Sequence, residues 1–371
     1  MTPEQAAQKY PHIIKIGEDN VPELYADNHI LSHLRLCEAF FVESFLNNLH
    51  QKGERSWSLE FGIWFHKVME KFYKAQDIQK SNSNGDINVL HPESHMICSD
   101  LVSYATEVWL QNDMQYFNTK PEYYKVCAKI GGLTGAIQLV VDYWRMYGEG
   151  RDILKVIGTE LSFGRGKEVP IISEDSRKDY NHQSLPFKSF PFRAYYCGRM
   201  DAIGDDGTSI FSVDHKTTST INPLTTGRDF KPHDGMQGYV YSLSHIAKSY
   251  FPTLQRACNK AMVNHVQVNY SADYTKRFKR TTLHYSPLEL EAWRVRQIRS
   301  FRKLWEIAVE EQSPDWNTQT CHNIYNYPCS FRLLHEQDPV NREAYIKAHY
   351  VQVQPWDTAK IKGMQKEEVI L

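Results

Sequence analysis

The 371-residue sequence lacks several features that would assign it to common functional classes. It has no apolar run near the roughly 18 residues that a membrane-spanning helix needs. Its first residues, MTPEQAAQKYPH, lack the charged and then apolar pattern of a signal peptide. The formal net charge is only -1, which argues against a protein that coats nucleic acid through overall positive charge. We therefore expect a cytoplasmic protein, in the host cytoplasm if the gene is viral.

The sequence also lacks the linkers that separate domains and the cysteine pattern of small, disulfide-bonded secreted domains. It shows no internal repeat, low-complexity linker or break in composition, so residues 1–371 are predicted to form a single domain. The seven cysteines are odd in number and scattered, which favours a reducing compartment over a disulfide framework. We expect an α/β core at 150–250, with an N-terminal helical part at 31–75 and a C-terminal helical part at 285–371.

The most informative segment that is present reads as a β-hairpin. Gly198-Arg199-Met200-Asp201 is followed by a turn at residues 205–207 and then by Ser212-Val213-Asp214-His215-Lys216-Thr217. On a strand, Asp214 and Lys216 leave the same face, with Asp201 on the paired strand. Two carboxylates suit a hard divalent cation, and a neighbouring lysine can orient a water or offset charge on phosphate. The hairpin indicates phosphodiester hydrolysis, although a solvated ion pair has the same pattern.

Two further candidate ligands lie upstream of the hairpin. Glu160 interrupts an apolar, β-branched run at 156–163 that predicts a strand, where a lone charge can also protect a sheet edge. Residues 59–74 place large apolar side chains at helical spacing, with His66 at the margin of that face. Gly62, one turn earlier, would leave room beside the imidazole. A histidine ligand would favour manganese alongside magnesium, while a packed core histidine is the alternative interpretation.

A helix is predicted downstream of the hairpin, from Gln237 through Ile246. Gln237 and Tyr241 are four residues apart and therefore share one face of that helix. Such a pair could donate to phosphate oxygens or stack on a base. A half-buried tyrosine beside a surface amide is an equally common explanation.

Taken in order, these motifs resemble the RecB-like branch of the PD-(D/E)xK nucleases, which includes CRISPR adaptation exonucleases and many phage exonucleases. The resemblance covers residues 31 to about 357 and implies a restriction-endonuclease-like fold, a mixed central sheet flanked by helices. It implies that Lys216 is the catalytic lysine, and that Gln237 and Tyr241 form an accessory motif that positions DNA. The ligands of Mg²⁺ or Mn²⁺ that it implies are His66, Glu160, Asp201 and Asp214. The three carboxylates in this set are also implied to be catalytic. Asp214 stands where many relatives carry glutamate.

Some relatives also bind a 4Fe-4S cluster through one early and three late cysteines. By resemblance, Cys37, Cys321 and Cys329 would be three of these ligands, but His335 occupies the position of the last cysteine. An iron-sulfur cluster, a structural zinc ion held by three cysteines and a histidine, and a metal-free packed arrangement all stay open.

Two basic clusters are candidates for contact with nucleic acid, since an overall charge of -1 does not attract phosphates and local clusters would have to do so. Each could equally be a solvated face. The first comprises Lys276, Arg277, Lys279 and Arg280; the second lies on a predicted helix beginning near Pro287 and comprises Arg294, Arg296, Arg299, Arg302 and Lys303. Polar segments at 77–94, 173–191 and 218–235 are predicted to be loops.

The sequence thus predicts a metal-dependent deoxyribonuclease, most simply an exonuclease in DNA replication, repair or recombination that a phage could encode. Alternatives are a nuclease that depends on a helicase or recombinase partner, and a non-catalytic DNA-binding subunit of such a complex. The joint presence of Asp201, Asp214 and Lys216 favours an active enzyme.

Overall fold

The computed structural model describes residues 1–53, 57–83, 97–111, 130–148, 151–152, 154–174, 189–222, 228–269, 273–322 and 328–355. Its contacts divide the chain into two compact units. Unit 1 is built from the described parts of Met1–Arg55, Phe163–Gly198 and Pro287–Lys362. Unit 2 is built from the described parts of Ser56–Ser162 and Arg199–Ser286. The prediction of one nuclease domain over 1–371 stays a prediction.

The strands of the described chain are numbered here in chain order. They are β1 (Ile14–Ile16), β2 (Pro22–Ala26), β3 (Leu49–Gln51), β4 (Lys155–Phe163), β5 (Pro170–Ile172), β6 (Arg193–Tyr196), β7 (Gly198–Asp205), β8 (Ile210–Thr218), β9 (Lys260–Gln267), β10 (Phe278–His284) and β11 (Tyr350–Gln352).

The α-helices follow the same convention. They are α1 (Pro3–Lys9), α2 (Asn28–Leu36), α3 (Glu38–Phe41), α4 (Trp57–Ser83), α5 (Cys98–Gln111), α6 (Gly132–Tyr147), α7 (Asp234–Tyr250), α8 (Pro287–Ala308), α9 (Thr318–His322), α10 (Arg332–His335) and α11 (Pro339–His349).

Unit 2 contains a five-stranded mixed sheet in the order β10-β9-β8-β7-β4. β7 and β8 form the predicted antiparallel hairpin, whereas β8 runs parallel to β9 and β9 antiparallel to β10. The strand predicted around Glu160 is β4. This α/β arrangement, a sheet with flanking helices, confirms the predicted fold class.

The core of unit 2 lies between this sheet and the helices α4, α5 and α6. The predicted apolar stripe of α4 is buried throughout, and its members are Phe61, Trp64, Phe65, Val68, Met69 and Phe72. The apolar periodicity covered residues 59–74, whereas the helix itself continues to Ser83. The prediction of a loop at 77–94 is therefore wrong for residues 77–83, while residues 84–94 lie outside the described chain.

The helix α7 packs against β8 and β9. On β9, Asn264 bonds to Tyr143 of α6, whereas the adjacent His265 contacts the ring of Phe230, just before α7. Because neighbouring strand residues point to opposite faces, α6 and the approach to α7 lie on opposite faces of the sheet. The loop predicted at 173–191 falls mostly outside the described residues. The loop predicted at 218–235 is described except for residues 223–227; it runs from the end of β8 at Thr218 through a 3-10 turn at Arg228–Phe230 to Asp234, where α7 begins.

Unit 1 joins the helical segments from both ends of the chain to two small sheets. One is four-stranded with the order β1-β2-β6-β5, and the other pairs β11 with β3. The sequence predicted helical parts at 31–75 and 285–371, but neither α1 nor these two sheets. Over the part of the chain that the structure describes, no helix is long and apolar enough to cross a membrane.

Candidate metal centre

The β7–β8 hairpin brings Asp201 and Asp214 to adjacent strands. Ala202 pairs with Val213, one residue beyond Asp201 and one before Asp214. The connecting turn is held by Asp206, whose side chain accepts hydrogen bonds from the backbone N–H groups of Thr208 and Ser209. Aspartate side chains commonly close turns in this way, so the local sequence itself specifies the hairpin.

His66 reaches the hairpin from α4. Its Nδ1 lies 3.4 Å from Oδ1 of Asp201, and its Nε2 lies 3.0 Å from the carbonyl oxygen of His215. A carbonyl oxygen only accepts, so Nε2 donates and Nδ1 is the nitrogen that faces Asp201. This is the arrangement in which histidine ligands of metals are usually held, with the second ring nitrogen bonded to an acceptor.

The electrostatics of His66 and Asp201 are mutually dependent. Burial alone would lower the pKa of His66, but the carboxylates of Asp201 and Asp214 outweigh it and raise that pKa to about 9. Burial would raise the pKa of Asp201, but the charge and hydrogen bond of His66 hold it below its ordinary value. At neutral pH the protonated ring therefore pairs with an ionised carboxylate, and a metal ion would take the place of the shared proton.

Glu160 completes a cluster of three candidate ligands. The ligand atoms of His66, Glu160 and Asp201 all lie within 4.8 Å of one another, and this is the one such group among the described residues. Two ligands about 2.1 Å from a shared Mg²⁺ ion lie at most about 4.2 Å apart, so shifts of a few tenths of an ångström would suffice for coordination. The donor set, two carboxylates and an imidazole, fits magnesium or manganese.

The backbone of Glu160 is strained. Its φ of 52° lies in the left-handed region, which is uncommon for a residue with a side chain and especially within a strand. The carboxylate pairs with Nε of Arg199 at 2.8 Å. Burial raises the pKa of Glu160 to about 7, while Arg199 acts in the opposite direction. Such strain persists where the surrounding structure fixes the conformation, and it often accompanies functional sites.

Asp214 and Lys216 form the second half of the site. Nζ of Lys216 lies 2.8 and 3.1 Å from the two carboxylate oxygens of Asp214, which is buried. Burial, with the repulsion of Asp201, raises the pKa of Asp214 although Lys216 opposes this. Burial would lower the pKa of Lys216, but Asp214 and Asp201 outweigh it and raise that pKa. Lys216 is therefore an ammonium ion, suited to stabilising negative charge and orienting a water.

His215 holds two of the candidate ligands, a role that the sequence analysis missed. Its backbone N–H donates to Oδ2 of Asp201 at 2.8 Å, and its carbonyl oxygen accepts from His66. Its ring stacks on Tyr73 with centroids 5.6 Å apart, and its Nδ1 lies 2.9 Å from Nδ2 of Asn264. Burial lowers the pKa of His215 to about 3, so the ring is neutral and Nδ1 accepts from the amide. Alternation along the strand was the available signal, since it turns His215 toward the α4 side.

The accessory residues Gln237 and Tyr241 lie one turn apart near the start of α7, as predicted. Both are buried, and Nε2 of Gln237 donates to the carbonyl oxygen of Lys231. The ring of Tyr241 packs against His245. His233, the residue that caps this helix, is close enough to feel the charges of Lys216 and Asp214, although burial is the main cause of its lowered pKa. Their function in positioning DNA stays a prediction.

The cysteine set lies within unit 1. Burial raises the pKa values of the Cys321 and Cys329 thiols, and the proximity of Cys37 adds to both effects. The three thiols are close enough to influence one another's charge, but their sulfur atoms do not all lie within 4.8 Å of one another, since the group at the metal centre is the one such group among the described residues. Nε2 of His335 lies 3.8 Å from a carboxylate oxygen of Glu43. Iron-sulfur or zinc binding by this set stays a prediction.

The first basic cluster does not form the expected nucleic-acid surface. Arg277 is 1% exposed and pairs with Asp142 at 2.8 Å. Arg280 donates to both carboxylate oxygens of Asp152 and contacts Tyr73. Both arginines therefore form ion pairs inside unit 2. Arg280 lies on β10, whereas Arg277 ends the 3-10 turn Tyr274–Arg277 that precedes this strand. Within this cluster, Lys276 and Lys279 remain candidates for contact with DNA.

Comparison with known proteins identifies the family of this chain. No curated protein is similar enough in sequence to match the chain. A family model described as the PD-(D/E)XK nuclease superfamily matches residues 31–332, which include the hairpin, His66, Glu160 and α7. The chain therefore belongs to the PD-(D/E)XK nuclease superfamily.

Proposed function

We propose that this protein is a metal-dependent deoxyribonuclease of the RecB-like branch, acting as an exonuclease in DNA replication, repair or recombination. The observation that carries the proposal is the convergence of His66, Glu160 and Asp201 within 4.8 Å, beside the Asp214–Lys216 pair on the same hairpin. Membership of the superfamily supports the nuclease activity. The branch, the DNA substrate and the exonuclease mode belong to the proposal.

In this proposal His66, Glu160, Asp201 and Asp214 hold one or two Mg²⁺ or Mn²⁺ ions. When bound, such an ion polarises the scissile phosphate and lowers the pKa of a coordinated water. The ammonium of Lys216 orients the attacking water and offsets the negative charge that develops on the phosphate in the transition state. Backbone bonds from His215 fix Asp201 and His66 before substrate binds, so little reorganisation is needed.

The test is a cleavage time course with the wild type and two variants, Lys216→Ala and Lys155→Ala. Substrates are linear and circular DNA, each single- and double-stranded, with Mg²⁺, Mn²⁺ or EDTA. We expect loss of linear DNA that requires metal and falls at least ~100-fold in Lys216→Ala, because orientation and charge stabilisation are both removed. Lys155, an exposed lysine on β4, is the control and should be dispensable.

Two results would contradict nuclease activity at this site, and a third would contradict the exonuclease mode. Equal cleavage by wild type and Lys216→Ala would show that the activity does not come from this site. Intact DNA under every condition would instead favour a subunit that needs a helicase or recombinase partner. Persistence of covalently closed circles alongside digestion of linear DNA would support the exonuclease mode, while cutting of circles would exclude it.

A further inference from the structure

The carboxylate of Asp214 is held by Lys216 rather than by the other candidate ligands. Asp214 does not belong to the group of His66, Glu160 and Asp201 whose ligand atoms lie within 4.8 Å of one another. Its two carboxylate oxygens lie 2.8 and 3.1 Å from Nζ of Lys216. A divalent ion at Asp214 would repel the ammonium and compete with it for these oxygens. Lys216 therefore needs a second acceptor if Asp214 is to join the ligands.

His265 is the neighbour of Lys216 across the sheet. The two residues are partners in the register of the parallel strands β8 and β9, and such partners turn their side chains to the same face of a sheet. Burial, with the charges of Lys279 and Lys216, lowers the pKa of His265 to about 4. The ring is therefore uncharged at neutral pH, so one of its nitrogens can accept a hydrogen bond.

The imidazole of His265 also carries an unused hydrogen-bonding atom. The residue is 2% exposed, and its Nε2 has no hydrogen-bond partner among the described residues. The apolar ring of Phe230 packs against it with centroids 5.1 Å apart. A buried polar atom without a partner costs free energy, and in native proteins it commonly marks a catalytic role or a bound water or ion. Nε2 is thus suited to a contact that forms in another state of the site.

A second histidine near Lys216 is less suitable as an acceptor. His233 caps α7 and also lies within reach of the charge of Lys216. Its Nδ1 already accepts the backbone N–H of Gly235 at 3.2 Å, so the proton of its neutral ring is on Nε2. His265 is therefore the better acceptor of the two for the ammonium.

We propose that His265 is a positioning residue for Lys216, and that its Nε2 accepts a hydrogen bond from the ammonium when Asp214 coordinates the metal ion. The ammonium then stays at the site and is oriented by His265 instead of Asp214. The proposal deepens the proposed function and rests on it, because it requires Asp214 and Lys216 to act at a metal centre. His265 acts through Lys216 and is assigned no contact with DNA.

The first measurement follows the ring nitrogens of His265 by NMR in protein with isotope-labelled histidine, with and without Mg²⁺ and without DNA. His265→Gln identifies the signal, because that variant lacks it. We expect the Nε2 resonance to shift when Mg²⁺ is added, since Nε2 gains a donor. The shift should be absent in Lys216→Ala, which lacks that donor. The ring of His284, exposed on β10, is the internal control.

The second measurement is the rate of DNA cleavage by His265→Leu and His265→Gln, with His284→Leu as the control. Leucine has a similar volume but no acceptor, whereas glutamine retains one. We expect kcat of His265→Leu to fall about tenfold with KM for DNA unchanged, because a misplaced lysine loses transition-state stabilisation and not substrate binding. Glutamine should restore much of kcat, and His284→Leu should match the wild type. Thermal melting of each variant checks that it is folded.

An unchanged His265 signal on addition of Mg²⁺, an equal shift in Lys216→Ala, or wild-type kcat in His265→Leu would overturn the inference. If His265→Leu does not fold, the spectra of the wild type and Lys216→Ala decide the question. The proposed function fails differently, through DNA that stays intact or cleavage that is indifferent to Lys216. Because the spectra are recorded without DNA, a shift that depends on Lys216 in a protein that cuts nothing would keep the inference and remove the nuclease proposal.

Discussion

At the scale of single residues, the candidate metal centre depends on a residue that contributes no ligand. The two backbone groups of His215 bond to Asp201 and His66, so the position of this one residue sets the distance between two candidate ligands. Its ring is fixed by Asn264, whose Nδ2 also donates to the hydroxyl of Tyr143 at 2.8 Å. Asn264 is thus a positioning residue for the site.

Truncation of this amide should affect both stability and metal binding. In Asn264→Ala, the buried Nδ1 of His215 loses its donor, which should cost about 1–3 kcal/mol of unfolding free energy. Mn²⁺ affinity, measured by titration calorimetry, should fall ~10-fold, as when groups that orient metal ligands are removed. Asn317→Ala is the control, because it also removes an amide hydrogen bond but lies in unit 1. Equal Mn²⁺ affinity in both variants would reject the positioning role.

At the scale of secondary-structure elements, α4 combines a buried apolar stripe with the candidate ligand His66. Gly62 was expected to leave room beside the imidazole. Within the described chain there is open space there in any case, because a Cβ built at this position meets no described atom within 4 Å. Glycine is therefore not required for space at this point of the helix, and it costs helix stability.

Gly62→Ala should consequently stabilise the protein, by about 0.5–1 kcal/mol in urea denaturation. The opposite result is expected for Gly204→Ala on β7, where the added Cβ would lie 2.6 Å from the ring of Phe211. A destabilised Gly62→Ala variant would show that the helix requires glycine for a reason other than space or helix propensity.

At the scale of the whole molecule, metal binding and folding should be linked. An ion that binds the folded state alone stabilises it by about 2.7 kcal/mol at a concentration of 100 times its dissociation constant. We expect the melting temperature of the wild type to rise with Mn²⁺ concentration and to return on addition of EDTA. Glu160→Gln removes one of the three clustered ligands and should reduce this rise. An identical rise in both proteins would place the stabilising ion elsewhere.

Some features of the whole molecule follow from the sequence alone. Periodicity alone determined the buried face of α4 and the strand alternation of the hairpin, because these patterns arise from neighbours within a few residues. The order of the motifs determined the superfamily, which the match over residues 31–332 confirms. The RecB-like branch, the cysteine ligands and the roles of the individual site residues stay predictions.

Other features were decided only by the tertiary structure. The burial of Arg277 and Arg280 depends on Asp142 and Asp152, which are more than 100 residues away in sequence. The strained backbone of Glu160 and the placement of His215 depend on contacts that no local pattern records. A sequence shows which side chains a strand or helix turns to each face; the charges and donors that meet them come from distant segments, which only the folded chain brings together.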